Sequence, residues 1–564
     1  MQRPRLLHFV SLQTSPASAG ITRNPKIHPE LQPLAEQLQA QLWGLLPGFH
    51  RLVFEGGMVL LTLCIGDAKT MLREQSFEAD SIYLDALGPD PDSDSWNVHT
   101  LKIIARCCRR GTRLTTSTNA RNVQDALAQC GFVVERITGL TGEVDYLQGH
   151  YNPAWEPKKT RHALHRRTAS SCIVIGAGLA GAAVAASLAR RGWRVTVLDS
   201  ENTPASGASG LPAGVLAPHI SPDDSLLSRL SRSGVRATLQ QAHTLLKAGI
   251  DWDKTGVLER DIDRARKLPA AWRRDFFSEA RDWVQTATPE QLFRYGLSES
   301  EMALWHVQAG WIKPSSLVKA WLATPGIEWR GQAKAGQLLR QAGVWQVLDT
   351  AGQELAQAEL VVLAAGFATR DLGNTARSAN TPKNGNTPHL ALQAIRGQVT
   401  WALHEPGTAH KLPDVPVNGH GSFIPALPVG TSMAWVTGAT FERDNISVKS
   451  QPQDNLINFS RLQTLLPEIA DQLKDQFSSE SINAWAGVRC VTPSRLPALG
   501  SLGSLGLTDL WVCSGMGSRG LTFAALCAEL LAAKLHAEPL PVEHRLAHAL
   551  LPQFVASASL NDFL

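Results

Sequence analysis

Apolar and polar positions over residues 1 to about 150 form short apolar runs that are separated by stretches with helical spacing. The pattern predicts strands at 6–12, 58–68, 79–90, 112–118 and 132–137, and helices at 28–48, about 96–109 and 121–130. Strands that are separated by helices are typical of a parallel, doubly wound sheet.

The pattern changes at residue 172, where a continuous apolar run predicts a buried strand. A tight turn, an Ala-rich helix and a second strand complete residues 172–200. Residues 345–366 are expected to form a hairpin and a buried strand, and residues 510–535 a strand, a Gly-rich turn and a long helix. Residues 151–171, with two prolines and five Lys or Arg residues, are interpreted as an interdomain linker, either a solvated spacer or a contact for a polyanion.

The sharpest motif is the Gly-rich turn after the strand that begins at residue 172. Gly176, Gly178 and Gly181 follow the G-x-G-x-x-G spacing. The first glycine permits the tight turn, the second lets the backbone approach a pyrophosphate, and the third lets the helix pack close to the strand. The next strand ends at Asp199, where a carboxylate is expected to bind a ribose hydroxyl. Together these residues predict a dinucleotide-binding βαβ unit.

Three further segments favour FAD over NAD as the dinucleotide. A small-residue loop at 207–218 allows backbone amides to approach a cofactor, and the buried strand at 360–367 is expected to pass close to the nucleotide. The Gly-rich turn within 510–535 is expected to direct a second helix N-terminus towards the electron-rich side of a flavin, although each of these segments taken alone could be a plain βα turn.

Composition narrows the class of protein. A chain of 564 residues predicts two to four domains, and 44% hydrophobic with 18% charged residues excludes a disordered or fibrous chain. A formal net charge of +4 excludes a protein that coats nucleic acid, and no apolar run is long enough for a transmembrane helix. The eight cysteines form no C-x-x-C pair, so we expect neither a metal site nor a disulfide framework. With a short, interrupted N-terminal apolar run, this predicts a cytoplasmic protein.

The order of the motifs resembles that of the FAD-dependent amine oxidases of the D-amino-acid oxidase and glycine oxidase group. The resemblance is carried by GAGLAGAAVA, LDS, GASG, VVLAAG, RGQV, WAGVRCVTPSRLPALG and GMGSRGLT. The chain is also similar, over nearly its whole length, to the bifunctional tRNA 5-methylaminomethyl-2-thiouridine biosynthesis family. That similarity is carried by GASGLPAGVLAPHIS, DWDKTGVLER and AGWIKPSSLV, and nearer the N-terminus by LHFVSL, IGDA and YLDALGPDPDSDSW.

The resemblance implies an α/β fold class with two parts. A truncated, doubly wound methyltransferase-like domain at 1–155 and a linker at 156–170 precede an FAD-dependent amine oxidoreductase at 171–564. The second part is expected to be a Rossmann-type FAD-binding domain with an interleaved antiparallel-sheet substrate domain (α+β). Its FAD-binding segments are expected at about 171–225, 355–372 and 505–540.

The resemblance also implies a reaction, in which FAD-dependent oxidation removes the carboxymethyl group from 5-carboxymethylaminomethyl-2-thiouridine at the tRNA wobble position. Arginine suits the substrate carboxylate because its planar fork binds through two bonds. By similarity to the amine oxidases, Arg489 is the first candidate for this clamp and Arg519 the second, although either arginine could pair with a structural carboxylate or cap a helix. The lone histidines His219 and His420 are set aside as structural. The residues expected to bind FAD are Gly176, Gly178, Gly181, Asp199, Ser209, Gly366, Gly517 and Ser518.

The first part departs from the methyltransferase pattern. That class needs a Gly-rich turn after its first strand to admit S-adenosylmethionine, and no such turn precedes the LHF strand at Leu7. Asp67 and Asp85 match acidic positions of the family, but the residues after Asp85 are more acidic than its pattern. We therefore expect that methylation has been lost here and that S-adenosylmethionine is a doubtful cofactor. A misassigned start codon is the rival explanation.

Two alternatives stay open beside the tRNA-modifying oxidoreductase. The same fold serves FAD-dependent oxidases of small free amino acids such as glycine or sarcosine, because a fold does not fix a substrate. Residues 1–155 could instead be a non-catalytic module that docks tRNA, which is compatible with oxidation by the second part. We expect tRNA as the partner, no membrane or metal partner, and a monomer.

Overall fold

The computed structural model describes residues 6–14, 28–84, 96–117, 120–138, 145–155, 166–260, 268–273, 278–378, 389–405, 412–479 and 481–555. Asp85, most of the acidic stretch after it and residues 156–165 of the predicted linker lie outside the described residues. The chain divides into two compact units. The first contains the residues up to Thr168 and Ala532–Ala547, and the second contains Ala169–Leu531 and the residues from His548 onward. The domain boundaries predicted at 155 and 171 stay predictions.

Residues 6–155 of the first unit form short strands and helices. The strands are β1 (Leu7–Gln13), β2 (Gly48–Phe54), β3 (Val59–Ile65), β4 (Ala79–Leu84), β5 (Cys108–Thr116), β6 (Phe132–Thr138) and β7 (Asp145–Tyr151). The helices are α1 (Gln32–Gln39), α2 (Ala68–Arg73), α3 (Val98–Ala105) and α4 (Arg121–Gln129). Each predicted strand is found with shifted ends, whereas β2 and β7 were not predicted.

The strands of the first unit form two mixed sheets where a parallel sheet was expected. In the order β1-β3-β2, only β1 and β3 are parallel, and in the order β4-β5-β7-β6, only β4 and β5 are parallel. The difference arises because β2 and β3 are joined by the short turn Glu55–Gly57, in which Gly56 has a φ of 61°. Antiparallel neighbours need only such a turn, whereas parallel ones need a long crossover.

The second unit contains many more strands. They are β8 (Ser171–Ile175), β9 (Arg194–Leu198), β10 (Gly214–Leu216), β11 (Trp252–Asp253), β12 (Val257–Arg260), β13 (Val284–Thr286), β14 (Ala303–His306), β15 (Gly310–Ile312), β16 (Ile327–Arg330), β17 (Ala335–Gln341), β18 (Val344–Asp349), β19 (Glu354–Ala358), β20 (Leu360–Leu363), β21 (Arg377–Ser378), β22 (His389–Leu390), β23 (Gln393–Leu403), β24 (Val417–Gly419), β25 (Gly421–Val429), β26 (Ser432–Gly438), β27 (Glu442–Arg443), β28 (Asn483–Val491), β29 (Ala498–Ser501), β30 (Leu510–Ser514) and β31 (Phe554–Val555).

Helices follow the same numbering to the end of the chain. They are α5 (Leu179–Arg190), α6 (Leu226–Leu245), α7 (Ala270–Arg273), α8 (Pro289–Arg294), α9 (Pro314–Leu322), α10 (Thr369–Thr375), α11 (Pro452–Leu465), α12 (Pro467–Phe477), α13 (Gly520–His536) and α14 (His544–His548). None of the described helices combines the length and apolar character that a membrane span requires.

A six-stranded sheet organises the nucleotide side of the second unit. Its order is β16-β9-β8-β20-β30-β29, and only β29 runs antiparallel to its neighbour. Apart from Ser171 at the start of β8, the central strands β8 and β20 are apolar and buried, as expected for a parallel sheet covered on both faces. Because the carboxyl ends of parallel strands meet at one edge, the turns after β8, β9, β20 and β30 lie together there.

A nine-stranded, largely antiparallel sheet forms the other side of the second unit. Its order is β13-β14-β12-β24-β25-β26-β23-β27, with β28 also paired to β23, and β12 is parallel to β24. The buried side chains of Leu462 and Leu473, from α11 and α12, pack with Phe423 and Trp435 of the sheet. The interleaved antiparallel sheet predicted from the resemblance is therefore present.

Candidate active site

The turn between β8 and α5 explains two of the three predicted glycines. Gly176 has a φ of 109°, and a Cβ there would lie 2.5 Å from the Ala364 carbonyl oxygen. At Gly181 a Cβ would overlap the Gly176 carbonyl oxygen, so only glycine lets α5 lie this close to the turn. One glycine therefore turns the chain and the other admits the helix.

Gly178 is the N-cap of α5 and borders open space. A Cβ at Gly178 would meet only Ser209, whose hydroxyl oxygen would lie 3.1 Å away. The Ser209 hydroxyl accepts a hydrogen bond from the Leu179 N–H at 2.9 Å, which fixes the small-residue loop against the first turn of α5. The positive end of the helix dipole at this opening suits a pyrophosphate.

Asp199 follows β9 directly and faces the same opening. Its carboxylate accepts hydrogen bonds from the Ala177 N–H at 2.6 Å and from the Glu201 N–H at 2.9 Å. Asp199 therefore ties the end of β9 to the glycine turn. The ribose contact expected of this carboxylate stays a prediction.

The turns after β20 and β30 bring the later candidates to the same edge. Gly366 has a φ of 56°, and its carbonyl oxygen accepts a hydrogen bond of 2.9 Å from the Ser514 hydroxyl. Gly517, with a φ of 58°, begins the single 3₁₀ turn Gly517–Arg519, which contains Ser518 and leads into α13. Two chain segments that are distant in sequence are thus joined beside the glycine turn.

A cavity of about 1210 Å³ borders all of these turns and extends to strands of the nine-stranded sheet. It is lined by every residue predicted for the site except Gly181, which packs the helix instead. The glycine turn, the helix N-terminus and the acidic strand end are the groups that a dinucleotide needs. The residues present therefore fit FAD.

Arg489 places a cation in the wall of this cavity. It lies on β28, and its guanidinium covers Gly397, where any side chain would overlap it. Burial, and then the positive charge of Arg461, lower the pKa of Arg489 below its ordinary value. The hydrogen bonds and ion pairs found among the described residues do not include this guanidinium. A cation in such surroundings is stabilised by an anion that enters the cavity.

The other arginines of the motifs have different positions. Arg519 ends the turn before α13 and lines the cavity, partly exposed. Arg396 of the RGQV motif is fully buried and donates hydrogen bonds to the Asp454 carboxylate at 2.6 Å and to the Lys449 carbonyl at 2.7 Å. Arg396 is therefore structural, which leaves Arg489 and Arg519 as the motif arginines that face the cavity.

Two aromatic residues of the cavity carried no sequence motif. Trp485 of β28 packs its ring against Gly487 and next to Gly210, so it joins β28 to the small-residue loop. Phe441 lines the cavity from the segment after β26. Neither His219 nor His420 lines it. The sequence did not indicate these two residues because a single aromatic side chain forms no motif with a recognisable spacing.

The thiols have no visible catalytic role. Cys490 lines the cavity, and burial raises its pKa to about 11, so the thiol is neutral near pH 7. All eight cysteines lie in the described residues and are buried, and none of them forms a disulfide bond. Within the described part of the chain, no cluster of three or more His, Cys, Asp or Glu side chains could hold a metal ion.

Comparison with known proteins gives the family. Residues 171–534 match the FAD dependent oxidoreductase family model, and residues 29–152 match the S-adenosyl-L-methionine-dependent methyltransferase model. The tRNA 5-methylaminomethyl-2-thiouridine biosynthesis bifunctional protein MnmC of Polaromonas sp. (strain JS666 / ATCC BAA-500) is 65% identical over 560 residues, which are 98% of this chain and 86% of the relative. The protein of that name from Polaromonas naphthalenivorans (strain CJ2) is 63% identical over 555 residues, with shares of 98% and 86%.

The chain belongs to the MnmC family. Its second unit contains an FAD-dependent oxidoreductase domain, and FAD is the cofactor of that domain. A solved structure of glycine oxidase from Geobacillus kaustophilus shares the fold, with a TM-score of 0.52 and 21% identity over 66% of this chain and 95% of that one. The predicted fold class and the predicted enzyme class are both confirmed.

The expectation of a truncated methyltransferase-like half that has lost its function is corrected by the family match, which shows that the methyltransferase domain is present. The methyltransferase model matches 29–152, and this part of the chain has a buried core that includes Leu101, Leu114 and Leu147. A single cofactor turn does not decide whether a domain is retained, so the lack of such a turn ahead of Leu7 was not a sufficient ground for that expectation. The Asp67 carboxylate accepts hydrogen bonds from the Thr70 N–H and hydroxyl, both at 2.8 Å, and so caps α2. Asp85 lies outside the described residues, so we assign no methyl-donor residue.

Proposed function

We propose that the second unit oxidises the side chain of 5-carboxymethylaminomethyl-2-thiouridine at the wobble position of a tRNA. The product is 5-aminomethyl-2-thiouridine, and the two carbons of the carboxymethyl group leave as glyoxylate. The observation that supports this most directly is Arg489, a largely buried cation in the cavity wall with a lowered pKa. The substrate carboxylate supplies the anion that this guanidinium requires, through two parallel hydrogen bonds.

The chain's residues divide the work of this reaction. The glycine turn and the first turn of α5 hold the phosphates of the dinucleotide, and Arg489 fixes the substrate carboxylate so that the adjacent C–H is aligned for transfer. Bound FAD supplies the two-electron acceptor. The C–N bond of the substrate becomes C=N as two electrons and two protons leave. Water then adds to that bond and breaks it, which releases glyoxylate and returns the nitrogen as a primary amine.

The methyl group in the relatives' name needs a second reaction. The oxidised and hydrolysed product carries a primary amine, and 5-methylaminomethyl-2-thiouridine carries one methyl group on that nitrogen. We infer that the first unit adds the methyl group with S-adenosylmethionine as donor, supported by the family model that matches residues 29–152. A tRNA substrate also favours a cytoplasmic location.

Mass spectrometry of tRNA nucleosides tests both reactions. Purified holoprotein is incubated with tRNA that bears the carboxymethylaminomethyl group, with and without S-adenosylmethionine. We expect the aminomethyl nucleoside and glyoxylate without the donor, and the methylaminomethyl nucleoside with it. Unchanged tRNA together with oxidation of free glycine or sarcosine would replace this proposal by an amino-acid oxidase.

The salt dependence of binding gives an independent test. Phosphate contacts release counterions, so the affinity for tRNA should fall steeply between about 50 and 200 mM salt. A salt-insensitive KM would indicate a small free amine as substrate.

A further inference from the structure

The mouth of the cavity displays exposed apolar side chains. Phe441 is 51% exposed and Val448 is 63% exposed, and both line the cavity. Ile446, between them in sequence, is 67% exposed. Within the described residues, Phe441 and Val448 are the exposed large hydrophobic side chains that also border the cavity. Apolar surface beside a binding cavity marks a place where a partner packs.

The segment that carries these side chains is held in place. Arg443 of β27 pairs with Ile395 of β23, and the Asp444 N–H donates to the Ala394 carbonyl at 2.9 Å. At the far end, the Lys449 carbonyl accepts the 2.7 Å hydrogen bond from buried Arg396. The backbone on both sides of Phe441 and Val448 is therefore fixed by the sheet. The exposure of these apolar side chains is a property of the folded protein.

Two cations lie close to the apolar side chains in the sequence of this segment. Arg443 and Lys449 are exposed, and the hydrogen bonds and ion pairs found in the described part of the chain do not include their charged groups. The nearby Glu442 carboxylate accepts a 2.6 Å hydrogen bond from the Asn445 amide, while Asp444 is exposed. An aromatic face beside lysine and arginine is the surface that single-stranded nucleic acids recognise, with bases stacked on the ring and phosphates near the cations.

We propose that a base of the single-stranded tRNA loop stacks on Phe441, with Val448 against its edge, while the modified side chain enters the cavity. Arg443 and Lys449 then meet the phosphates on either side of this base. The proposal rests on the proposed function, since it concerns how that substrate reaches Arg489. A small free amino acid fits inside the cavity and leaves Phe441 exposed, so the apolar mouth is explained by a larger, flat group.

Binding of an anticodon stem-loop RNA to the holoprotein tests whether a base stacks on Phe441. We expect Phe441→Ala to raise the Kd about tenfold, because stacking on one aromatic side chain contributes an effect of that order per base. Phe441→Trp should stay within about twofold, since it keeps an aromatic face. The matched control is Phe293→Ala, which removes a phenyl that is 82% exposed on α8 and does not line the cavity. Flavin absorbance confirms that each variant stays loaded.

The salt slope separates stacking from phosphate neutralisation. Phe441→Ala should leave the slope of log Kd against log salt unchanged, whereas Arg443→Ala with Lys449→Ala should reduce it by about 0.7 for each phosphate that is no longer neutralised. Equal Kd values for wild type and Phe441→Ala would overturn the proposal that a base stacks on Phe441. An equally large rise of the Kd in Phe293→Ala would overturn it as well. An equal rise of KM for sarcosine in Phe441→Ala would also overturn it, because Phe441 would then be a wall of the small-substrate site. A wild type that binds the stem-loop but leaves modified tRNA unoxidised contradicts the proposed function instead.

Discussion

At the scale of single residues, the site depends on the positive charge of Arg489, for which the described residues show no hydrogen-bond or ion-pair partner. Arg396 and Arg489 both lie in motifs of the amine oxidase resemblance, yet Arg396 is paired with Asp454 and Arg489 faces the cavity. The sequence could not separate the two roles, because both depend on which side chains the folded sheets bring together. Burial without a fixed partner is what makes Arg489 the stronger candidate for an anion clamp.

Replacing Arg489 by leucine should remove the clamp without removing the cofactor. We expect kcat/KM for the modified tRNA to fall on the order of 10³-fold, since two hydrogen bonds to a charged group are removed. Bound FAD, measured by absorbance, should stay at the wild-type ratio. Arg489→Lys should recover only part of the activity, because lysine keeps the charge and lacks the planar fork. Full activity in Arg489→Leu would move the clamp to Arg519.

Substitutions at two glycines of the same turn should have different effects on FAD binding and on stability. Gly178→Val should give a folded, colourless protein, because its side chain enters the space beside the helix N-terminus and meets only Ser209. Gly181→Ala should lose both FAD and stability, because its Cβ overlaps the Gly176 carbonyl oxygen. Flavin absorbance and thermal unfolding of the two variants measure the difference. A Gly181→Ala variant with wild-type stability would contradict this account of how α5 packs.

At the scale of elements, a largely buried ion cluster holds α5 against α13. Glu529 of α13 accepts hydrogen bonds from Arg190 at 2.5 Å, Arg191 at 3.1 Å and Ser187 at 2.8 Å. Burial alone would raise the pKa of Glu529, but the charges of Arg191 and Arg190 outweigh it and hold the pKa below its ordinary value. Both helices begin at the cavity, so this cluster fixes the direction of two helix N-termini that face the cofactor.

Glu529→Gln should destabilise the second unit strongly at neutral pH. Removing the carboxylate leaves the charges of two arginines without their counter-ion, which lowers the free energy of unfolding by about 3–5 kcal/mol. Because the folded pKa is lowered, the stabilisation is present above the unfolded value of about 4.3 and is lost as pH falls below it. Denaturant unfolding should therefore show a difference between wild type and variant that shrinks below about pH 4.

The matched control for that cluster is an exposed pair. Glu328 and Arg330 form an ion pair at 2.8 Å on β16, with side chains that are 60% and 44% exposed. Glu328→Gln should change the free energy of unfolding by less than about 1 kcal/mol at pH 7. Equal losses of stability in Glu328→Gln and Glu529→Gln would contradict a special role for the buried cluster.

The elements predicted correctly are those that local sequence determines. The strand before Gly176, the helix after Gly178 and the strand before Asp199 follow from an apolar run, two glycines and an acidic end. β2 and β7 were missed because each is defined by its antiparallel neighbour. Phe441 was missed because exposure at a cavity mouth is a property of the packed sheet.

At the scale of the whole molecule, the first unit is not continuous in sequence. The segment Ala532–Ala547 belongs to the same compact unit as the residues up to Thr168. No sequence motif indicates this grouping. The buried Gln75 amide donates to the Leu540 carbonyl at 3.2 Å and accepts from the Leu540 N–H at 2.9 Å. The buried Arg51 guanidinium donates to the Pro539 carbonyl at 2.7 Å. The methyltransferase-family unit is therefore completed by residues from the end of the oxidoreductase sequence.

Gln75→Ala should loosen this late segment while the rest of the first unit stays folded. Loss of two buried hydrogen bonds costs about 2 kcal/mol, so hydrogen exchange at the Leu540 amide should be about thirtyfold faster. The control Gln41→Ala removes the same pair of amide bonds, from Gln41 to the Val53 carbonyl at 3.1 Å and from the Val53 N–H at 3.0 Å. It should speed exchange at Val53 and leave Leu540 protected. Wild-type protection of Leu540 in Gln75→Ala would show that the segment is held by contacts other than this amide pair.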